Sequence, residues 1–466
     1  MKSSFSLSKL ATLAIFVLVV IAQLVEAPWK SEGGVIRSDV KGYYAYLPAL
    51  FIHNDLKFED VSVYENNNES TVWYNTSEDG IKYIKYTVGT AILYSPFFAI
   101  AHVYAKNSDY APDGFSKPYR FALSISAAFY LFLALFFIRK VLLEYFKDNT
   151  VALTLIVIFL GTNAWNYYTY EAAYSHGYSI AVISIFIYGT IQWFKNPTIK
   201  WSIIVGAAFG MLVLIRAVDV IYILFPLLYG ISSWKDSKEK LALFNQNKLK
   251  LATILLSAFL VFSPQLMYYK LISGNWLFYT YTNETFFFSH PRWLEAMFSF
   301  RNGWLIYSQL MFLSIIGLFF IKKRPIFSAI FVVLFVYTFV ISSWWCWWYV
   351  GFGNRAFINL YPLLSIPLGA VISFLLGKKW WVKALALSFV FLGVFLSVFQ
   401  SYQYKNGTIH WGYMSKKAYQ EVFLKEKTTP LFNTYLEIPN GDLAIKGIDA
   451  VLKRKIDTIA VYRLDF

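Results

Sequence analysis

Cysteine is all but missing from this chain: Cys346 is the single one in 466 residues. That excludes an intramolecular disulfide and any multi-cysteine metal site. Histidine is nearly as scarce, and His53, His102, His176, His290 and His410 are scattered without HxxxH-type ligand spacing. No P-loop, GxSxG or HExxH occurs, no low-complexity segment appears, and no internal repeat of the kind many transporters carry is found. Charge is thin as well, at 15% of residues, whereas 58% are hydrophobic and 20% aromatic. Such a balance is that of an all-α polytopic membrane protein, not a soluble domain. The formal charge of +15 is no nucleic-acid signature, because the lysines and arginines form short clusters between apolar runs and no continuous basic face.

Runs long enough to cross about 30 Å of hydrocarbon, which takes roughly 20 helical residues, lie near 10–27, 119–138, 150–165, 172–193, 251–268, 305–321, 326–343, 356–376 and 382–399. The first follows Lys2 and Lys9 and resembles the start of a secretory signal peptide. Val25-Glu26-Ala27 is a poor cleavage site and Pro28 follows it, so an uncleaved first helix is expected. Two stretches are ambiguous: 88–105, which holds Pro96 and His102, and 202–233, interrupted by Arg216-Ala217-Val218-Asp219.

Short loops rich in lysine and arginine stay in the cytoplasm. Reading 202–233 as two short helices places 11 cations, including Lys235, Lys322 and Lys378, in the downstream inner loops. Only 4 (Lys270, Arg292, Arg301 and Arg355) fall in the outer loops. A single crossing would invert that bias. By the same logic Arg139-Lys140 is inside, which makes 88–105 a re-entrant or surface-lying segment. The expected architecture is a bundle of about 11 transmembrane helices with the amino terminus inside. A membrane domain spans 1–399, with a large first outer loop at 28–118 bearing juxtamembrane helices. A small outer α/β region follows at 400–466, suggested by alternating pieces such as Thr458-Ile459-Ala460-Val461-Tyr462. Sequons at Asn68, Asn75, Asn283 and Asn406 all fall outside.

The unusual polar residues then collect on the outer side, while the inner loops carry little but lysine. An enzyme of the outer leaflet predicts that division; an alternating-access transporter keeps polar residues near mid-membrane. In Arg37-Ser38-Asp39-Val40-Lys41-Gly42-Tyr43-Tyr44-Ala45-Tyr46, Asp39 is suited to take the proton of an attacking hydroxyl, or else it is an ion pair with Arg37 or Lys41 at a helix cap. Lys85 is a cation for a departing phosphate or a snorkelling interfacial lysine. Arg216 and Asp219 are intramembrane charges at i and i+3, costly enough to be paired or functional. Glu171 and His176 flank an outer tyrosine-rich turn, where a histidine is either structural or a ligand contact. Trp344-Trp345-Cys346-Trp347-Trp348 followed by two glycines and Arg355 reads equally as an interfacial belt and as a sugar-stacking wall beside a phosphate-binding guanidinium.

Across most of residues 1–400 the arrangement resembles the GT-C superfamily of integral-membrane glycosyltransferases, in particular the branch of protein O-mannosyltransferases and the bacterial aminoarabinose transferase. The matching features are Asp39 soon after helix one, Lys85 before a juxtamembrane helix, Arg216 near the outer end of a middle helix, and Phe352-Gly353-Asn354-Arg355 ahead of a late helix. The resemblance implies a sugar transfer from a polyprenyl-phosphate donor to a lipid, glycan or protein acceptor at the outer face of the cytoplasmic membrane. Asp39 is then the base, while Lys85 and one or more arginines hold the lipid phosphate. From their positions on the outer side, the full set of expected substrate-binding residues is Lys85, Glu171, His176, Arg216, Asp219, Arg292 and Arg355. Many members carry adjacent acidic residues where Val40 follows Asp39 here; no cofactor is certain, and a divalent metal stays an open alternative that the residues do not indicate. The alternative from another class is a transporter or flippase of lipid-linked saccharides.

Overall fold

A computed structural model describes residues 6–66 and 69–451; the sequon at Asn68 and the alternating piece Thr458–Tyr462 lie outside the described residues. Among the described residues, six helices are long and apolar enough to cross a membrane: Leu7–Lys30, Lys117–Leu143, Ser175–Lys195, Lys248–Ser273, Arg355–Leu376 and Trp380–Lys405. Five shorter apolar helical segments lie among them, Asp148–Leu160, Ile199–Ile215, Ala217–Leu228, Gln309–Ile321 and Phe327–Ser342. The chain is a multi-pass membrane protein. Its outermost helices, Lys248–Ser273 and Trp380–Lys405, present rows of exposed leucine and phenylalanine, among them Leu255, Phe259, Leu385 and Phe391. Such a surface is stable only against lipid.

Helix ends meet in two sets. At one end of the bundle, Asp148 accepts hydrogen bonds from Ser6 and the backbone of Ser8, Arg139 donates to Ser8, and Lys195 pairs with Glu144. At the other, Lys405 pairs with Glu26 and Tyr404 donates to Glu171. This second end carries the loop 28–118, and with it every polar cluster described below.

The ambiguous stretch at 202–233 breaks where its charges stand. Helix Ile199–Ile215 ends because Arg216 is extended (φ −148°, ψ 115°), and a 3-10 turn, Ala217–Ile223, leads into Leu224–Leu228. Upstream, Gly206 and Gly210 form a seam against Lys248–Ser273: a Cβ on either would sit 2.2 Å from the Ile254 carbonyl oxygen or 2.4 Å from that of Ala258. Only glycine permits that backbone approach, as at small-residue helix interfaces in membranes. The stretch at 88–105 is the helix Gly89–Lys106, with Pro96 inside it and one face buried through Leu93, Tyr94 and Phe98.

The tyrosine-rich segment is interior. Tyr43, Tyr44, Tyr46 and Leu47 are buried in two short helices, Asp39–Tyr44 and Tyr46–Phe51, and Tyr46 donates to the Tyr86 carbonyl at 2.7 Å. Two small antiparallel ribbons, Glu65–Asn66 with Glu69–Ser70 and Asn75–Thr76 with Lys82–Tyr83, complete the loop. Of the carboxyl-terminal region, residues 406–451 supply three short helices (Lys416–Val422, Phe432–Tyr435, Gly441–Ala444) and an isolated bridge between Pro439 and Val451. They lie on the bundle through the 3.3 Å ion pair Arg301–Asp449 and the 2.7 Å bond from Gln400 to Tyr419.

Candidate active site

Ser38 sits at φ 45°, which turns the chain sharply before Asp39 opens its helix. Val40, Tyr43 and Tyr44 on that helix are buried, and Asp39, one turn before Tyr43 on the same face, is largely buried with them. Its partner is neither Arg37, which donates to the Tyr170 carbonyl, nor Lys41, which donates to that of Ser70. The Asp39 carboxylate instead meets the guanidinium of Arg355, Oδ2 to Nη2, at 2.5 Å. Arg355 gets there because Gly351 (φ 136°), Gly353 (φ 64°) and Asn354 (φ 44°) fold the chain back through left-handed geometry. A Cβ at Gly353 would stand 2.8 Å from that of Tyr307. Behind the pair, the Arg355 guanidinium rests 5.1 Å from the Tyr174 ring. Burial pushes the Asp39 carboxyl up, but Arg355, helped by Tyr86 and Lys85, outweighs this and holds it below the usual carboxylate range.

Lys85 approaches the same carboxylate from the other side. It forms a 2.5 Å ion pair with Glu284 and is caged by aromatic faces, 5.0 Å from Tyr281, 5.9 Å from Trp73 and 6.0 Å from Tyr86. Its segment is tied to the bundle by Val88 N–H donating to Gln265 at 2.8 Å and Ile84 N–H donating to Tyr268 at 2.9 Å.

Arg216 and Asp219 do not pair directly; a relay joins them. Arg216 donates to His176 Nε2 at 3.2 Å, so Nε2 is an acceptor and Nδ1 carries the proton. Nδ1 donates to Asn359 Oδ1 at 3.2 Å, and the Asn359 amide donates to both Asp219 oxygens at 3.0 and 2.8 Å. Tyr337 donates to Asp219 at 2.9 Å. All four side chains from His176 to Tyr337 are buried, so the relay satisfies a carboxylate that would otherwise be stranded. Tyr43 bridges the clusters: its hydroxyl reaches Asp39 at 3.4 Å and feels both Arg355 and Arg216. Burial, with Asp39 adding, pushes it to about 12.

Asp39, Lys85, Arg216 and Arg355 therefore surround one tyrosine-lined patch, with His176 and Asp219 immediately behind it. Glu171 lies on the far side of Arg355, buried, accepting from Asn166 at 2.9 Å and Tyr404 at 3.2 Å. Burial pushes its carboxyl up against the pull of Arg37 and Arg355. Arg292 stands apart, paired with Glu295 at 3.4 Å. Glu284 and Asn359 enter the site without having been singled out as candidates. An asparagine inside an apolar run was the one available signal for Asn359. The carboxylates do not fit a divalent metal: Asp39 is neutralised by Arg355, Asp219 by amide and phenol donors, and among the described residues no group of three His, Cys, Asp or Glu could hold one.

By sequence, no family model and no curated protein matches the chain. By structure it is similar to the crystal structure of the Archaeoglobus fulgidus oligosaccharyltransferase in the apo form, with a TM-score of 0.51 at 14% identity. The chain shares the fold of that oligosaccharyltransferase. A second match is the oligosaccharyltransferase AglB of the same organism in complex with an inhibitory peptide and a dolichol-phosphate, with a TM-score of 0.50 at 14% identity. Each match covers 91% of this chain and 59% of the other, so the chain spans less than two thirds of the length of those oligosaccharyltransferases.

Proposed function

We propose that this protein is a membrane glycosyltransferase that moves a sugar from a polyprenyl-phosphate donor to an acceptor hydroxyl on the outer side of the cytoplasmic membrane. The observation that carries the reading is the Asp39–Arg355 pair at 2.5 Å with Lys85 and Arg216 beside it, in a chain of the oligosaccharyltransferase fold. An anionic phosphate entering this patch meets three cations, each already held: Arg355 by Asp39, Lys85 by Glu284 and Arg216 by the His176 imidazole. Arg355 turning toward the phosphate uncovers Asp39, whose basicity then rises as its counter-charge leaves.

The acceptor oxygen forms its bond to the anomeric carbon from the side opposite the phosphate, and its proton passes to Asp39. The carbon–oxygen bond to the phosphate breaks, and its electron pair stays on the phosphate oxygen, where Lys85 and Arg216 neutralise the charge. Inversion at the anomeric carbon follows from this single displacement. Residues 1–399 form the membrane domain, 28–118 its outer loop, and 400–466 an outer carboxyl-terminal region. The partners are a lipid-linked sugar and a lipid, glycan or protein acceptor.

Purified protein incubated with a panel of polyprenyl-phosphate sugars and hydroxyl acceptors, with mass analysis of products, tests this reading. Consumption of one donor with a glycosylated acceptor formed, lost in Asp39→Asn, is the expected result. Translocation of intact lipid-linked saccharide across sealed vesicles, unchanged in Asp39→Asn, would establish the flippase instead.

A further inference from the structure

Arg355 has little of its own to hold it. Beyond the Asp39 carboxylate and the face of Tyr174, its Nε is buried without an acceptor among the described residues. Its place is therefore set by the backbone that delivers it, where Gly353 stands at φ 64° and Asn354 at φ 44°. Buried carbonyl and N–H groups in such a turn need partners from elsewhere in the chain.

Most of those partners come from Asn163 and Tyr167. The Asn163 amide donates to two successive carbonyls, Phe352 at 3.0 Å and Gly353 at 2.8 Å. They converge on one nitrogen because Gly353 turns the chain between them. Tyr167 accepts from the Phe352 N–H at 2.9 Å, and the Trp411 carbonyl takes the Gly351 N–H at 3.0 Å. The amide's orientation is itself enforced. Trp304 donates to the Tyr361 hydroxyl at 3.2 Å, which leaves that hydroxyl's proton for Asn163 Oδ1 at 2.5 Å. With Oδ1 engaged there, Nδ2 faces the turn. Asn163 is fully buried, and it stands at the start of helix Ala164–Thr169 without capping it. An asparagine at a helix start ordinarily spends its side chain on that helix. This one spends it on the turn that carries Arg355.

We infer that Asn163 positions Arg355 against Asp39, acting through the Phe352-Gly353 turn, with Tyr361 fixing the amide. Its bonds run to the turn's backbone and not to the reacting groups, so it is a positioning residue. The inference rests on the transferase reading only for what Arg355 does once in place. The placement itself rests on the hydrogen bonds.

The test is a double-mutant cycle run in two backgrounds, by thermal melts of the full chain in lipid nanodiscs. In wild type, Asp39→Asn combined with Arg355→Gln should melt above either single variant, because neither charge is then left stranded. In Asn163→Ala, where Arg355 no longer meets Asp39 in register, that recovery should disappear. A recovery as large in Asn163→Ala as in wild type, or none in wild type, overturns the positioning role whatever the transfer assay shows. A lower midpoint in Asn163→Ala does not rescue it, since any buried structural amide gives that. Tyr361→Phe, which removes only the orienting hydroxyl, should diminish the recovery, and it carries the comparison if Asn163→Ala does not fold. Where transfer proceeds, the acidic limb of kcat/KM should move to higher pH in Asn163→Ala. Burial pushes the Asp39 carboxyl up, and Arg355 then outweighs it less well. An unmoved limb also overturns the inference. Loss of the recovery, with no sugar transferred by wild type, overturns the transferase reading alone and leaves the positioning in place.

Discussion

The Asp39 carboxylate and the Arg355 guanidinium, from opposite ends of the chain, meet at 2.5 Å with side chains only 15% and 13% exposed. Each is the other's counter-charge. Removing one leaves the other stranded, which typically costs about 3–5 kcal/mol for a buried pair. Asp39→Asn should therefore lose stability as well as about 10²- to 10⁴-fold in transfer rate. The double variant Asp39→Asn with Arg355→Gln should melt above either single variant while remaining inactive. A double variant less stable than both singles, in thermal melts of the detergent-purified protein, would show that the two charges are not mutual partners.

Lys85 is held by Glu284 at 2.5 Å, so donor phosphate must compete with that carboxylate. Lys85→Met should raise the donor KM by about tenfold, the equivalent of about 1.4 kcal/mol, with acceptor KM unchanged. Glu284→Gln should lower the donor KM. Steady-state kinetics with the donor varied separates the two directions.

Glu171 gives a pH signature. Its native pKa lies above the unfolded value, so between the two the folded state binds the extra proton and stability falls as pH rises. The stabilising contribution is complete below the unfolded value, about 4.3, and gone above the native one. Melting temperatures recorded from pH 4 upward, on the order of one unit apart, should show that decline in wild type and a flatter profile in Glu171→Gln. Asp39 has the opposite sign: its pKa is lowered, so its contribution persists at neutral pH and is lost only as pH falls through the native value.

Asn359 is the joint of the relay between His176 and Asp219. Asn359→Leu leaves Asp219 with Tyr337 alone and His176 without its acceptor, a loss of about 1–3 kcal/mol for each buried group left unsatisfied. Thermal melts should show that loss. Because Arg216 is then less well held, the donor KM should rise more than kcat falls. Asn359→Gln, which retains the amide, should recover part of both.

The helical bundle was legible because crossing a bilayer demands long apolar runs and closed backbone hydrogen bonding, both local properties of sequence. The break at Arg216 was legible for the same reason, since a guanidinium inside an apolar run marks itself. Partnership was harder. Nothing near Asp39 in sequence points to Arg355, and the local choices, Arg37 and Lys41, are spent on backbone carbonyls. Glu284 is visible in sequence only as one more outer-face carboxylate and Asn359 only as an amide in an apolar run, because the importance of each lies in what the fold brings to it. Arg292 looked like Arg355 in sequence, an arginine in an outer loop, yet its carboxylate partner lies three residues away at Glu295.

The Gly206 and Gly210 seam reaches further than helix packing. Arg216 caps the helix that contains those glycines, and the helix pressed against them carries Gln265 and Tyr268, which grip the backbone on either side of Lys85. Backbone meets backbone along that seam, without flexible side chains between. The spacing of the two cations is thus set by helix backbones, and in the proposed transfer a donor phosphate would meet them at that spacing.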